Sequence, residues 1–311
     1  MPKLTINRRR ALQLMGTAAA TPVLHRAESS VQPKKAKFTY CLNLSTIHGQ
    51  KLGFMGELEV AAKAGYRSVE IWIDTLGEYL DKGGKLAEIK SRLNGLGLKV
   101  ENCIAFAKWV VDDEATRKQA MEQMKTEMGL VAEIGCKRIA ATGMGLTNDT
   151  TISLDTIAER YRTVLDLGIS MNVIPLLEMW GSQKQLSIAS EVTYSAMQSG
   201  SAQAKILLDV FHLYKGNTPL DTLSFINPDI NPILHMNDYP ATPPRALITD
   251  ADRIYPGDGV APIKRILQIL QHREEPLILS AELFNAEYYK QDALTVAKTA
   301  LTKMKMVAEG V

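Results

Sequence analysis

Eight short β-rich apolar runs, separated by helix-length amphipathic segments, constrain this chain more than any other feature of its sequence. The runs are FTYCLNL (38–44), SVEIWI (68–73), KVENCIAF (99–106), KRIAATG (137–143), NVIPLLE (172–178), AKILLDV (204–210), PILHMND (232–238) and PLILSAE (276–282). The segments between them carry a helical period. In TRKQAMEQMKTEMGLVAEIG, for example, Ala120, Met121, Met124, Met128, Val131 and Ile134 fall at three- and four-residue steps, the period of one helix face. Gly65, Gly97 and Gly135 each close such a segment just before the next run, where a left-handed C-cap is expected. Strand and helix in strict alternation predict right-handed βαβ units in one parallel sheet, and eight units predict a closed (β/α)8 TIM barrel, a single α/β domain over residues 37–311. A doubly wound open sheet is the competing arrangement, but no GxGxxG follows the first run.

With 311 residues, 46% of them hydrophobic, the chain can bury a core of that size. A formal charge of +2 provides no basic stripe, so nucleic acid is not an expected partner. Cys41, Cys103 and Cys136 are too few and too scattered for a disulfide framework or a CxxC metal site, and read as core residues.

The first 30 residues differ from the rest. Arg8, Arg9 and Arg10 precede an apolar run from Ala11 to Leu24, then the polar stretch AESSVQPKKAK. This is the pattern of a twin-arginine-type signal peptide followed by a flexible segment, with cleavage after Ala20 or Ala27, and it predicts export to the periplasm. The competing interpretation is a disordered basic tail. The apolar run is shorter than the roughly 20 residues of a membrane-spanning helix, and no later stretch is apolar for long enough to span a bilayer.

In a parallel barrel the C-terminal strand ends surround the active site. Four successive strand ends carry groups able to bind a metal or move a proton: Glu178 in IPLLEMW, Asp209 with His212 in LLDVFH, His235 in ILHMND, and Glu282 in ILSAELFN. Burying a lone carboxylate after apolar residues is costly unless a cation or hydrogen bonds compensate it. Two Glu, one Asp and one His form a mixed oxygen and nitrogen set suited to one divalent ion, Mn2+, Mg2+, Co2+ or Zn2+. Singly, each residue has an ordinary alternative, a salt bridge to a loop lysine or a satisfied core imidazole. The combination at one rim is the signal.

The progression LLEMWG, LLDVFHLYKG, ILHMNDYP and AELFN resembles the xylose isomerase-like TIM barrels, in the branch of sugar phosphate isomerases and epimerases that includes tagatose and psicose 3-epimerases, hydroxypyruvate isomerase and inosose isomerases and dehydratases. The resemblance runs from about residue 38 to the C-terminus. It implies that Glu178, Asp209, His235 and Glu282 bind one divalent metal, that His212 contacts substrate, and that an Arg after the strand-seven His does so too. Arg253 is the nearest match and Arg245 a rival, because the intervening loop is long; either could instead hold the loop to Asp250 or Asp252. It further implies an isomerase or epimerase of a free keto or aldo sugar or related polyol, working through a metal-stabilised enediolate with Glu178 and Glu282 as the acid and base. The same ligands would serve an inosose dehydratase-like lyase. Endonuclease IV shares the superfamily, but this chain has no His on strands two to four and no basic excess; a non-catalytic sugar-binding barrel is the remaining reading. Barrels of this branch are often homodimers or homotetramers. Asn43, Glu70, Trp72, Trp109 and Lys184 are further candidates to face a small-molecule carbohydrate, although a Trp is as readily plain core.

Overall fold

The computed structural model describes residues 36–311, apart from 148, 150, 272 and 274; the expected signal segment at 1–30 lies outside the described residues. All eight apolar runs form strands: β1 Phe38–Asn43, β2 Ser68–Trp72, β3 Lys99–Ile104, β4 Arg138–Ala141, β5 Ile174–Glu178, β6 Lys205–Asp209, β7 Ile233–Met236 and β8 Leu277–Ala281. Every ladder is parallel, in the order β3-β2-β1-β8-β7-β6-β5-β4. The two ends of that order, β3 and β4, lie side by side, so the sheet curls into a nearly closed barrel. Arg138 on β4 fastens this seam by donating to the Glu101 carbonyl of β3 at 3.1 Å.

Side chains alternate across each strand, and the alternation divides the core in two. Inside the barrel, Cys41, Ile104, Ala140, Leu176, Leu207, Ile233 and Ile278 form a compact apolar plug. The outward-facing residues pack against the helices in one continuous second cluster. Two positions further along β1, β5, β6, β7 and β8, the inward sites are Asn43, Glu178, Asp209, His235 and Ser280. The apolar plug thus forms the floor beneath a polar layer.

Helices follow the strands much as their composition dictates. Asp113, Ser153 and Asp292 cap Glu114–Glu133, Leu154–Met171 and Ala293–Ala308 by accepting a backbone N–H in the first turn. Gly65, Gly97 and Gly135 all adopt positive φ, the left-handed conformation that ends a helix. One segment departs from expectation. TPLDTLSFI forms only a 3-10 helix at Leu220–Phe225, because so short a stretch behind Pro219 cannot repay the cost of nucleating a longer α-helix. Short extra helices at Ile73–Asp81, Val210–Lys215 and Ala286–Tyr289 follow strands β2, β6 and β8 and lie at the rim that carries the polar layer.

Candidate metal and substrate site

The spacing of Asp209 and His212 follows from helix capping. Asp209 ends β6 and is also the N-cap of Val210–Lys215, its Oδ1 accepting the His212 N–H at 2.9 Å. The strand therefore turns directly into a helix whose first turn returns His212 to the same cavity. Register places Asp209 opposite His235, and His235 opposite Ser280.

His235 is fully buried at the centre of the cluster. Its Nδ1 lies 3.0 Å from Glu282 Oε2, 3.6 Å from Asp209 Oδ2 and 3.9 Å from Glu178 Oε1. Ligand-capable atoms of Asp209, His235 and Glu282 fall within 4.8 Å of one another. Behind the ring, Nε2 lies 3.0 Å from Glu70 Oε2. Asn237, two residues beyond His235, donates to Asp209 Oδ2 at 3.1 Å.

Arg253 brings a buried guanidinium to the cluster. Its Nη1 donates to Asp209 Oδ2 at 2.7 Å and Glu282 Oε2 at 2.9 Å. Nε and Nη2 both reach Asp250 Oδ1, and Nη2 lies 3.2 Å from His212 Nε2. The guanidinium also sits over the rings of Phe211 and Phe284. A long loop delivers it: Asp238 and Ile254 pair as an isolated antiparallel bridge, and the buried Asp238 carboxylate accepts the N–H groups of Tyr239, Gly257, Gly259 and Ala261. At Gly259 an added Cβ would stand 2.2 Å from the Tyr239 carbonyl, so this turn closes only with glycine. Lys215 Nζ ties the outer part of the loop through the carbonyls of Arg245, Ala246 and Ile248. Arg245 itself lines a different cavity, beside Val210 and Tyr239, so Arg253 is the arginine that reaches the cluster.

The electrostatics follow from burial. Desolvation pushes the Glu178 carboxyl up to about 8, with Glu282 and Glu70 adding to the rise and His235 opposing it. Burial would raise Asp209 as well, but the charges of Arg253, His212 and His235 hold it well below the usual carboxylate range. For His235, burial opposes the charge, yet the Glu282 and Glu70 carboxylates raise it well above the ordinary imidazole value. His212 is lowered, first by burial and then by Arg253.

Above this floor is a cavity of about 290 Å3. Of the sequence candidates, Glu178, His212, Arg253, Glu282 and Trp72 line it. Four others lie elsewhere. Lys184 is exposed, with Nζ donating to Thr151 Oγ1 at 2.8 Å. Trp109 is 2% exposed, its Nε1 donating to the Thr142 carbonyl and its ring packed on Tyr161, a core anchor rather than a cavity wall. Asn43 and Glu70 are buried beneath the cavity, not on its surface. Sequence reasoning missed Phe106, Trp180, Phe284 and Asp250, which line the cavity. The three aromatics stand in the quoted stretches KVENCIAF, LLEMWG and AELFN; only their periodicity next to the strand ends could have singled them out.

The residues present fit a divalent cation. Glu178, Asp209 and Glu282 bring three buried carboxyl groups to the His235 ring, with Arg253 donating to two of them, an oxygen-rich set that a divalent ion would compensate in so buried a site. Among the described residues, Glu178 Oε2 and His235 Nδ1 are buried without a hydrogen-bond partner, and both belong to the cluster. Three carboxylates and one imidazole nitrogen would hold such an ion.

Comparison with known proteins agrees with this architecture. The family described as xylose isomerase-like TIM barrel matches residues 58–305. The chain is 27% identical to an inosose isomerase of Halalkalibacterium halodurans over 266 residues, 84% of this chain and 93% of the relative. It is 26% identical to an inosose isomerase of Bacillus velezensis over 250 residues, 78% of this chain and 88% of the relative. Among solved structures, the IOLI protein with a bound zinc atom superposes with a TM-score of 0.79 at 24% identity, covering 86% of this chain and 97% of that one. A D-psicose 3-epimerase of Clostridium cellulolyticum gives 0.66 at 17% identity, covering 87% and 99%.

Proposed function

Since the chain belongs to the xylose isomerase-like TIM barrel family, we propose that it is an isomerase or epimerase of a free keto or aldo sugar or related polyol, working with one divalent ion held by Glu178, Asp209, His235 and Glu282. The observation that carries this reading is the convergence of three carboxylates on His235 Nδ1 at the floor of the cavity. The names of the relatives, inosose isomerase in both sequence comparisons, support it.

When bound, the ion supplies Lewis-acid polarisation of a substrate carbonyl. Glu178 and Glu282 come from β5 and β8 and flank the other two ligands, so a substrate on this floor meets a carboxylate from either side. One takes the proton from the carbon next to the carbonyl and the other returns a proton. Return to the opposite face epimerises; return to the neighbouring carbon isomerises. Arg253 and His212 offer nitrogen atoms to a substrate oxygen from the β6 and β7 side, and Asp250 keeps the guanidinium aimed there. Trp72, Phe106 and Phe284 exclude water and present ring faces to the carbon skeleton, Trp72 lying 5.2 Å from Phe106 and 5.9 Å from Phe284 between centroids.

Elemental analysis of the purified protein, followed by a screen of free ketoses and inososes with the metal-loaded enzyme, tests the reading. About one divalent ion per chain together with turnover of a member of the screen is expected, and a chain that takes up no divalent ion on loading would overturn it. Export remains part of the proposal on the strength of Arg8–Arg10 and the apolar run behind them. N-terminal sequencing of the protein from a periplasmic fraction would reveal a start at Thr21 or Glu28; an uncut chain confined to the cytoplasm would rule export out.

A further inference from the structure

Glu70 makes no contact with the cavity, yet five strands are organised around its carboxylate. Asn102 Nδ2 of β3 donates to Oε1 at 2.7 Å, while Asn43 Nδ2 of β1 and Ser280 Oγ of β8 donate to Oε2 at 3.0 and 2.7 Å. His235 of β7 completes the shell through Nε2, 3.0 Å from Oε2 and 3.2 Å from Oε1. All five residues are fully buried. The β2–β3 register slips between Val69 and Glu70, and this irregularity brings Glu70 level with Asn102. Asn43 Nδ2 also reaches Glu282 Oε1 at 3.0 Å, so the same network touches two of the four proposed ligands.

A carboxylate with this set of donors does not need the imidazole for its own satisfaction, whereas the imidazole needs the carboxylate. Among the described residues Nε2 has no other hydrogen-bond partner, and Nδ1, at the other end of the ring, is unpartnered and faces Glu178, Asp209 and Glu282. We infer that Glu70 is a positioning residue for metal binding: it keeps a proton on His235 Nε2, leaves the Nδ1 lone pair toward the three carboxylates, and through Asn43 fixes the Glu282 carboxylate beside it. This rests on the metal site proposed above. The physical cause is that a hydrogen bond to one ring nitrogen sets the tautomer, the orientation and the basicity of the other.

The test is the dissociation constant for Zn2+ and Co2+, by equilibrium dialysis with elemental analysis, for the wild type, Glu70→Gln and Ser280→Ala, with unfolding of each metal-free protein as a check on the fold. Glu70→Gln is expected to weaken binding about 10–100-fold, and Ser280→Ala, which removes one donor to Glu70, by a smaller factor in the same direction. Nitrogen NMR of the zinc-loaded wild type is expected to show His235 protonated at Nε2 alone. A folded Glu70→Gln that binds either ion as tightly as wild type overturns the inference. Should that variant not fold, a folded Ser280→Ala with wild-type affinity overturns it equally. A wild type that binds neither ion sinks the metal site itself, a result distinct from both.

Discussion

Asp209 and His235 are register partners across the β6–β7 ladder, and their facing atoms, Oδ2 and Nδ1, stand 3.6 Å apart. A parallel ladder sets that spacing through the backbone, so the two side chains meet without any loop having to be ordered first. Substituting one of them should leave the barrel standing and remove the site. His235→Ala is expected to fold and to lose the divalent ion that the wild type binds, as read by elemental analysis of the two proteins after identical loading and dialysis. A variant retaining a full equivalent would place the ion elsewhere.

Glu282→Gln keeps the shape of the side chain and removes its ability to accept a proton. With the divalent ion in saturating excess, turnover should fall by about 10²–10⁴-fold, the usual contribution of general acid–base catalysis, while substrate still binds within a few-fold of wild type by calorimetry. Equal kcat values would favour a sugar-binding barrel without catalysis.

Arg253 competes with any cation for Asp209 Oδ2 and Glu282 Oε2. Arg253→Met takes the guanidinium away from those buried carboxylates, and breaking a buried pair costs about 3–5 kcal/mol. Chemical denaturation should show that loss in the metal-free variant, and added Zn2+ should restore more stability to it than it adds to wild type. An unchanged denaturation midpoint without metal would contradict the pairing.

Trp109 and Lys184 are predicted to be silent in catalysis. Trp109→Phe strands the Thr142 carbonyl and should destabilise the fold by about 1–3 kcal/mol with KM unchanged, and Lys184→Ala should alter neither quantity. A raised KM in either variant would mean that the residue reaches substrate after all.

Glu127, on the inner face of Glu114–Glu133, carries a carboxyl raised first by burial, with Asp74 adding to the rise and the Gln123 hydrogen bond opposing it. A carboxylate raised on folding favours the folded state below its unfolded value near pH 4.3, and that advantage disappears as pH climbs through the folded value. Glu127→Gln should therefore raise the melting temperature by a few degrees at pH 8 and by less at pH 4. A shift independent of pH would show that charge burial is not the cause.

What the sequence determined by itself is local and periodic. All eight strands, the glycine C-caps and the polar residues at the ends of β5 to β8 were legible because side-chain alternation and strand-end position are set within a few residues of chain. What only the tertiary structure decided depends on residues far apart in sequence. Arg253 rather than Arg245 enters the site because Asp238 gathers four backbone N–H groups and Lys215 holds the outer loop. Trp109 is drawn into the core by Thr142 and Tyr161, and Lys184 is turned outward to Thr151. Glu70 read as a wall of the pocket; the β2–β3 register slip and donors from β1, β3, β7 and β8 place it behind His235 instead. No sequence period encodes such contacts, because each is fixed by barrel closure and by hydrogen bonds between segments whose separation along the chain carries no signal of their distance in space.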